Sequence, residues 1–549
     1  MRVVVDLTKC QGYAQCAFLA PSSFRMQGDE ALMYDPAPAE DQRERVRRAA
    51  AACPVQAIQI DRLSVQDMPP VHVVDRPSRI VVVGASLAGL RAAEALREEG
   101  FTGSLTLIDG ESCEPYDRPP LSKQALSGHV APDATALPRP DLDASWRLGV
   151  NAIGLDLAGR RVQLDDGSSV PFDRLLITTG VRARSWHDPV EAALDGMFVL
   201  RTRDDAVRLH ERLAFLAPYG AAAHLSEAVP GPLEPRDAGR TPRVLVIGAG
   251  FTGSEIASTC RSMGLDVIVA EAAATPLAGA LGGVIGAVAA EVHREHGVDL
   301  RCGITVESIE GDAGGRVRRA RFSDGTVADV AVVVAALGGV RNIEWLRDSG
   351  LAVGEWGVAC DAGCRAFDAN GLVLDDIFVA GDVARAPNAM FGYQFLALEH
   401  WANAVAQAEV AAHNMVSDES DRWPHLHMPS FWSLQFGINI KAVGVPTFSD
   451  EVVVTQGSVA DRRFAAAYGY KGRLTGAVTF NHGKWLPFYA RLIEQAAPFP
   501  PHFTTVDQPD SMVPVPADVP DPKFLARDAT VVVTGHDPSS RSASLRSSR

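Results

Sequence analysis

Short apolar runs that end in glycine turns punctuate this chain from residue 79 onward. Ile80 to Val83 is an unbroken apolar run, the pattern of a strand buried on both faces, and it leads into Gly84-Ala-Ser86-Leu-Ala88-Gly89. Leu90 to Arg97 then reads as a helix with its alanines toward a sheet. Ser104 to Ile108 reads as the next strand, ending at Asp109-Gly-Glu111. The device recurs: Arg243 to Ile247 runs into Gly248-Ala-Gly250-Phe251-Thr-Gly253, and the strand Asp266 to Ala270 ends at Glu271. Further buried strands are expected over Ala331 to Leu337, before Gly338, and over Ile377 to Ala380, before Gly381-Asp382. Leu398 to Gln407, which holds Glu399 and Trp401, opens a helix. Past Pro424 the pattern turns to strands (Val452 to Val459, Arg463 to Tyr470, Leu474 to Phe480) with a helix after Trp485. The expected class is α/β: two Rossmann-like domains, followed by a C-terminal α+β domain and preceded by a small α+β unit.

The repeated strand, glycine turn and helix start make a pyrophosphate cradle, because unpaired amides and the helix dipole both favour an anion there. One such turn is weak evidence, and in the first the middle glycine is Ser86; two in one chain point to two bound dinucleotides. A carboxylate at the end of the second strand suits the adenosine ribose. At the first site either Asp109 or Glu111 could fill that place. At the second it is Glu271, and no Arg or Lys follows until Arg294, so NADH rather than NADPH is expected.

With 549 residues the chain is too long for one core. Its 47% hydrophobic and 22% charged content is ordinary globular composition. A net charge of −15 argues against nucleic acid. No apolar run approaches the ~18 residues of a membrane span, and a cytoplasmic location is expected. Three of the eight cysteines, Cys10, Cys16 and Cys53, gather in the first 65 residues. They occupy three corners of a C-x2-C-x2-C…C-P iron–sulfur pattern whose remaining place is Tyr13. Three thiolates suit [3Fe-4S]; a [4Fe-4S] cluster with a non-cysteine fourth ligand is the alternative. Zinc would want four ligands in Cys/His pairs, and no His lies between residues 1 and 71.

This N-terminal pattern, with Gly12-Tyr13 and Ala20-Pro-x-x-Phe24, resembles the small ferredoxins that serve actinobacterial cytochromes P-450. From residue 79 to about 500 the chain resembles the ferredoxin–NAD(P) reductases of oxygenase systems, the putidaredoxin reductase family. Their pattern R-P-P-L-S-K stands as Arg118 to Lys123. The resemblance implies that Lys123 lies beside a flavin and pairs with Glu255. It implies a return toward FAD at Thr178-Thr179-Gly180, and FAD contacts from Arg201 of Leu-Arg-Thr and from Asp382. It also places Gly338 at the nicotinamide end and Trp401 on the isoalloxazine. Trp432, in Phe-Trp-Ser-Leu434, would stand between flavin and cluster; the family's Asp is Leu434 here.

The expected activity is hydride transfer from NADH to FAD, then single-electron transfer to the fused cluster and on to a cytochrome P-450 or another oxygenase. The boundaries are a ferredoxin domain at 1–65, a linker at 66–78, FAD-binding segments at 79–190 and 341–416, an NAD-binding domain at 191–340, an interface domain at 417–515 and a flexible tail at 516–549. The Pro- and Gly-rich stretch from Ala217 to Arg240 reads as an inserted loop. A monomer or weak dimer is expected. Two rivals remain. A disulfide reductase or peroxidase of this fold needs a flavin-facing redox cysteine, whereas Cys113 has no C-x-x-C partner, and Cys360 and Cys364 read as structural. A non-turnover FAD/NADH sensor of the apoptosis-inducing-factor type has no use for the ferredoxin unit.

Overall fold

The computed structural model describes residues 1–5, 10, 14–27, 31–51, 53, 57–60, 77–138, 142–218, 243–501, 514–520, 529–532 and 544–547. Tyr13, most of the linker at 66–78 and nearly all of the insertion after Ala217 lie outside these residues.

Two sheets carry the two glycine turns, the first parallel except for its antiparallel edge strand Arg365–Phe367. In the first, the strand order is Arg365–Phe367, Val373–Val379, Arg174–Ile177, Arg79–Val83, Ser104–Asp109 and Ser145–Leu148. Arg79–Val83 lies at the centre, and Ile80 to Val83 are buried as the unbroken apolar run requires. Helix Leu87–Glu98 follows and packs its alanines against helix Trp401–Val416. It begins three residues before the expected Leu90, because the turn hands over to helix at once with Ser86 as N-cap. In the second sheet the order is Met197–Phe198, Val332–Ala335, Arg243–Ile247, Asp266–Glu271 and Asp299–Cys302, all parallel. The chain crosses between the two bodies where Val181–Ala183 pairs antiparallel with Gly339–Arg341.

The C-terminal domain is an antiparallel sheet in the order Ser430–Gln435, Ile438–Gly444, Arg473–Phe480, Arg463–Tyr470, Glu451–Ser458 and Val515–Pro516. Helix Leu486–Glu494 covers one face and helix Ala278–Glu295 of the second body covers the other. Composition ends the folded part at 515, but the structure carries it to 520. Val515 pairs with Val452, Ala517 is 1% exposed, and Gly283 N–H donates to the Asp518 carbonyl. An edge strand with open hydrogen-bonding groups captures the segment. Further on, Ala529–Val532 pairs with Ser544–Ser547 where the Ser/Arg-rich sequence suggests disorder; Thr530, Val531 and Val532 supply the strand propensity.

The N-terminal unit has its own core of Val3, Val5, Phe24, Leu32, Val46, Ala49 and Ile58, with Cys10, Cys16 and Cys53 in or against it. It sits on the first body. Val4 joins Leu90 and Leu137 in an apolar cluster that Trp146 and Trp401 flank. Gln124 Nε2 lies 3.6 Å from Met33 Sδ, and Arg2 reaches the Ala134 carbonyl at 3.4 Å.

Candidate functional site

Both glycine turns are built alike. Gly84 (φ 102°) and Gly248 (φ 97°) occupy the left-handed region, and a Cβ would meet the carbonyl oxygen of Thr178 at 2.3 Å and of Ala336 at 2.5 Å. Gly89 and Gly253 bring each helix onto its turn, where a Cβ would lie about 2 Å from the carbonyl oxygen of Gly84 or Gly248. The middle position differs. Gly250 has ordinary backbone (φ −69°) and open space around its missing Cβ, and Ser86 adopts nearly the same conformation. The backbone therefore places no strain on a side chain there, and Ser86 keeps the same turn geometry.

The strand-end carboxylates are held in similar ways at the two turns. Glu271 Oε2 accepts from Ala249 N–H at 2.6 Å and its Oε1 from Ala273 N–H at 2.8 Å. Asp109 does the same at the first turn, accepting from Ala85 N–H at 2.6 Å and Glu111 N–H at 2.8 Å. Asp109 is thus the counterpart of Glu271. Burial pushes its carboxyl above the usual range, while the two amides pull it back. Glu111 turns instead to Arg118 (2.6 Å) and the Tyr116 hydroxyl (2.5 Å), which buttresses the cavity wall.

A cavity of about 680 Å³ opens at the carboxyl ends of the first sheet, the place where such sheets hold ligands. Gly84, Ser86, Ala88, Asp109, Glu111, Arg118, Lys123, Thr179, Gly180, Arg201, Phe251, Glu255, Gly381, Asp382, Glu399 and Trp401 all line it. Gly89 supports its turn from behind. Gly248, Gly250, Gly253, Glu271 and Gly338 lie outside this cavity, around the second turn.

Ion pairs order the polar groups. Arg201 reaches Asp382 at 3.1 Å, and Arg341 reaches Glu399 at 2.8 Å. Glu399 is pushed up, chiefly by burial and further by Asp382. Lys123 Nζ lies 2.6 Å from Glu255 Oε2 and 3.0 Å from the Pro119 carbonyl. Glu255 also accepts from Ser122 Oγ at 2.5 Å and Ser433 Oγ at 2.6 Å. One buried carboxylate therefore ties together the Pro119–Ser122 turn, the second fingerprint helix and the C-terminal sheet. Sequence reading missed Tyr116, Asp117, Arg341 and Ser433. Asp117 accepts from Trp401 Nε1 at 2.9 Å, and burial raises its carboxyl to about 6. These contacts join positions far apart in the chain, and no local spacing announces them.

Trp401 and Trp432 line the same cavity with ring centroids 6.4 Å apart. Trp432 stands opposite Lys441 across the Ser430–Gln435 and Ile438–Gly444 pair, and Lys441 Nζ donates to the Cys10 carbonyl. The cysteine corner thus meets the cavity wall. Among the described residues no three His, Cys, Asp or Glu side chains stand in a closed metal-holding group. The three thiols do share one apolar cluster and sense each other: Cys16 is pushed up by burial first, then by Cys10 and, less, by Cys53. Ala57 N–H donates to Cys53 Sγ at 3.3 Å. Soft donors that repel one another as thiolates, with amide support, fit an iron–sulfur group. Two phosphate cradles with ribose carboxylates fit FAD and a nicotinamide dinucleotide. Cys360 and Cys364 are wholly buried, with thiols pushed up by desolvation, and do not line the cavity. No helix among the described residues is long and apolar enough to cross a membrane.

Comparison with known proteins agrees in three parts. Residues 78–408 match the family described as pyridine nucleotide-disulphide oxidoreductase, residues 430–511 the reductase C-terminal family, and residues 5–60 the 4Fe-4S single cluster domain of ferredoxin I. The chain is 32% identical to the ferredoxin–NAD(+) reductase component of the anthranilate 1,2-dioxygenase system of Burkholderia cepacia, over 76% of this chain and 94% of that protein. It is 33% identical to rhodocoxin reductase of Rhodococcus erythropolis, over 73% and 86%. In structure it is similar to putidaredoxin reductase in its covalent complex with putidaredoxin, with TM-score 0.67 and 26% identity over 77% and 94% of the two chains.

Proposed function

The chain belongs to the pyridine nucleotide-disulphide oxidoreductase family as an FAD-containing ferredoxin–NAD+ reductase with a fused iron–sulfur domain, and on that premise we propose that it is a self-contained electron relay from NADH to an oxygenase. Bound in the cavity, FAD would take a hydride from the nicotinamide as an electron pair and release single electrons to the cluster. The chain's own residues hold and aim the parts. The first turn and Asp109 take the FAD pyrophosphate and ribose, with Arg201, Gly381 and Asp382 along its middle. The second turn and Glu271 take NADH, with Gly338 toward the nicotinamide. Lys123, held by Glu255, presents an ammonium at the cavity where the carboxamide arrives. Trp401 and Trp432 fill the space toward the cluster of Cys10, Cys16 and Cys53.

The contact of Lys441 with Cys10, one strand from Trp432, carries this reading, because it sets the cysteine corner against the flavin cavity within a single chain. The cluster is [3Fe-4S], on the ground that Tyr13 replaces the fourth cysteine; a cytochrome P-450 is the acceptor and the protein works as a monomer or weak dimer in the cytoplasm. Metal and flavin analysis with low-temperature EPR tests the first point. A narrow signal near the free-electron position supports it, and stoichiometric zinc without that signal overturns it. Anaerobic NADH addition tests the relay: the cluster signal must change as the flavin bleaches. In Cys16→Ala the flavin must still bleach while rapid cytochrome c reduction disappears.

A further inference from the structure

Electrons that leave the cavity singly leave a proton behind. A hydride is one proton with two electrons, and the cluster takes electrons only. For every NADH that becomes NAD+, one H+ must therefore be lodged in the cavity and then released. A group that accepts it needs a place on the cavity wall, a free lone pair and an affinity for protons near neutrality. Most acids of the wall are occupied. Asp109 accepts from two turn amides, Glu111 from Arg118 and Tyr116, and Glu255 from Lys123, Ser122 and Ser433. Asp382, Glu399 and Glu344 stand on Arg201, Arg341 and Arg182. His400 lines the cavity too, but burial pushes its imidazole down to about 4, so it binds a proton poorly at neutral pH.

Asp117 differs. It lines the cavity and is 8% exposed. Among the described residues no Arg or Lys forms an ion pair with it, and its side-chain donor is Trp401 Nε1 at 2.9 Å. Its own N–H is fixed to the Thr135 carbonyl at 2.8 Å. Burial raises the carboxyl to about 6 against the pull of Trp401, of Lys123 on the following turn and of the Arg118 amide. From the N-terminal unit Tyr34 faces it; burial first and Asp117 second push that phenol up, so it stays neutral. Asp117 thus borders both the cavity and the unit that carries the three cysteines.

We propose that Asp117 is the proton acceptor of the relay, taking up the proton that stays in the cavity when a hydride's two electrons have gone to the cluster. The inference rests on the reading of the chain as an NADH-to-cluster relay. One carboxylate oxygen gains the H+, the side chain becomes the neutral acid, and the proton returns to water as NAD+ leaves. Proton and electrons then move toward the same side, so little net charge is separated in a low-dielectric interior.

The test uses the full chain loaded with FAD and cluster, with cytochrome c as the final acceptor. In the parent, cytochrome c reduction should rise with pH through about 6, because an acid already protonated cannot accept; flavin bleaching by NADH should not follow that profile. In Asp117→Asn, which keeps an acceptor for Trp401, bleaching should stay within about threefold of the parent. Its cytochrome c reduction should be at least tenfold slower at pH 7.5, flat in pH, and restored by added imidazole as a diffusible base. Infrared titration of the resting protein supplies a readout independent of turnover. A carboxyl band should change at about pH 6 in the parent, at higher pH in Trp401→Phe, which loses the stabilising donor, and be missing in Asp117→Asn. The rate profile of Trp401→Phe should shift with its band, and that match decides the matter if Asp117→Asn fails to retain flavin. A parent pH profile that survives in Asp117→Asn, a slow variant that imidazole does not rescue, or a Trp401→Phe profile that ignores its band overturns the proposal, because a merely structural aspartate would give those results. A parent whose flavin bleaches while its cluster never fills overturns the relay and this proposal with it; a parent that relays normally beside an unaltered Asp117→Asn overturns this proposal alone.

Discussion

Glu255 offers the sharpest check on how the site is held together. It accepts from Lys123, Ser122 and Ser433, so Glu255→Ala strips the Lys123 ammonium of its counter-charge. Lys123 keeps the Pro119 carbonyl at 3.0 Å, Ser122 Oγ at 3.3 Å and its electrostatic attraction to Asp117. Removing one partner of a buried pair costs about 3–5 kcal/mol. Lys123 and Glu255 are 14% and 8% exposed, and cavity water recovers part of that. That is a cost in stability; for the hydride step the expected loss is about 100-fold in rate, equivalent to about 2.7 kcal/mol in the barrier. Lys123→Met should cost a similar factor, since the carboxylate is left without its cation. The decisive measurement is the double variant: two residues acting as one unit should lose about 100-fold together, whereas independent residues would lose about 10,000-fold. Anaerobic stopped-flow bleaching of the flavin by saturating NADH reads all four corners of the cycle, with flavin content confirming that each variant is loaded. Additive losses, or a single variant within threefold of the parent, would refute the coupled hub.

Three other outcomes follow from the geometry. Gly89→Ala should abolish FAD retention, because its Cβ would lie 1.9 Å from the Gly84 carbonyl oxygen; flavin stoichiometry after gel filtration checks it, and Ser86→Gly should be nearly silent. Asp117, raised by burial to about 6, stabilises the fold fully below the ordinary carboxylate value near 3.9 and loses that contribution as pH rises through 6. A shift of about two units is worth roughly 3 kcal/mol, so denaturation midpoints measured between pH 4 and 7 should flatten in Asp117→Asn. Ending the chain at Pro514 should lower the unfolding temperature of the C-terminal domain, since it uncovers the Glu451–Ser458 edge and removes buried Ala517; a chain ending at Pro520 should match the parent.

The two cradles were legible because their requirements are local: a left-handed backbone at Gly84 and Gly248, a close approach at Gly89 and Gly253, and a carboxylate one strand later. The middle position makes no such demand on the backbone: Ser86 (φ −76°) and Gly250 (φ −69°) share an ordinary conformation. What stayed hidden depends on partners far along the chain. Asp117 meets Trp401 across 284 positions, and Lys441 meets Cys10 across 431. No periodicity carries such pairings; only packing of separate domains creates them. The tail starts later than composition suggests for a related reason, since the sequence near 516 is Pro-rich while the sheet edge that captures it lies elsewhere in sequence.

The hairpin of Ser430–Gln435 and Ile438–Gly444 turns through two residues, Phe436 (φ 50°) and Gly437 (φ 76°), both left-handed. Such turns leave no slack in pairing. Phe436 accepts that conformation although phenylalanine rarely does, with its N–H on Ser258 Oγ and its ring against His293 and His296. Neighbouring side chains of a pleated strand leave by opposite faces, so Ser433 turns to Glu255 while Trp432 stands beside Lys441 and the cavity. A slip of one position would exchange the two. Loop length at this one bend therefore sets which residue of the strand is presented to Glu255 and which to the side where Lys441 meets Cys10.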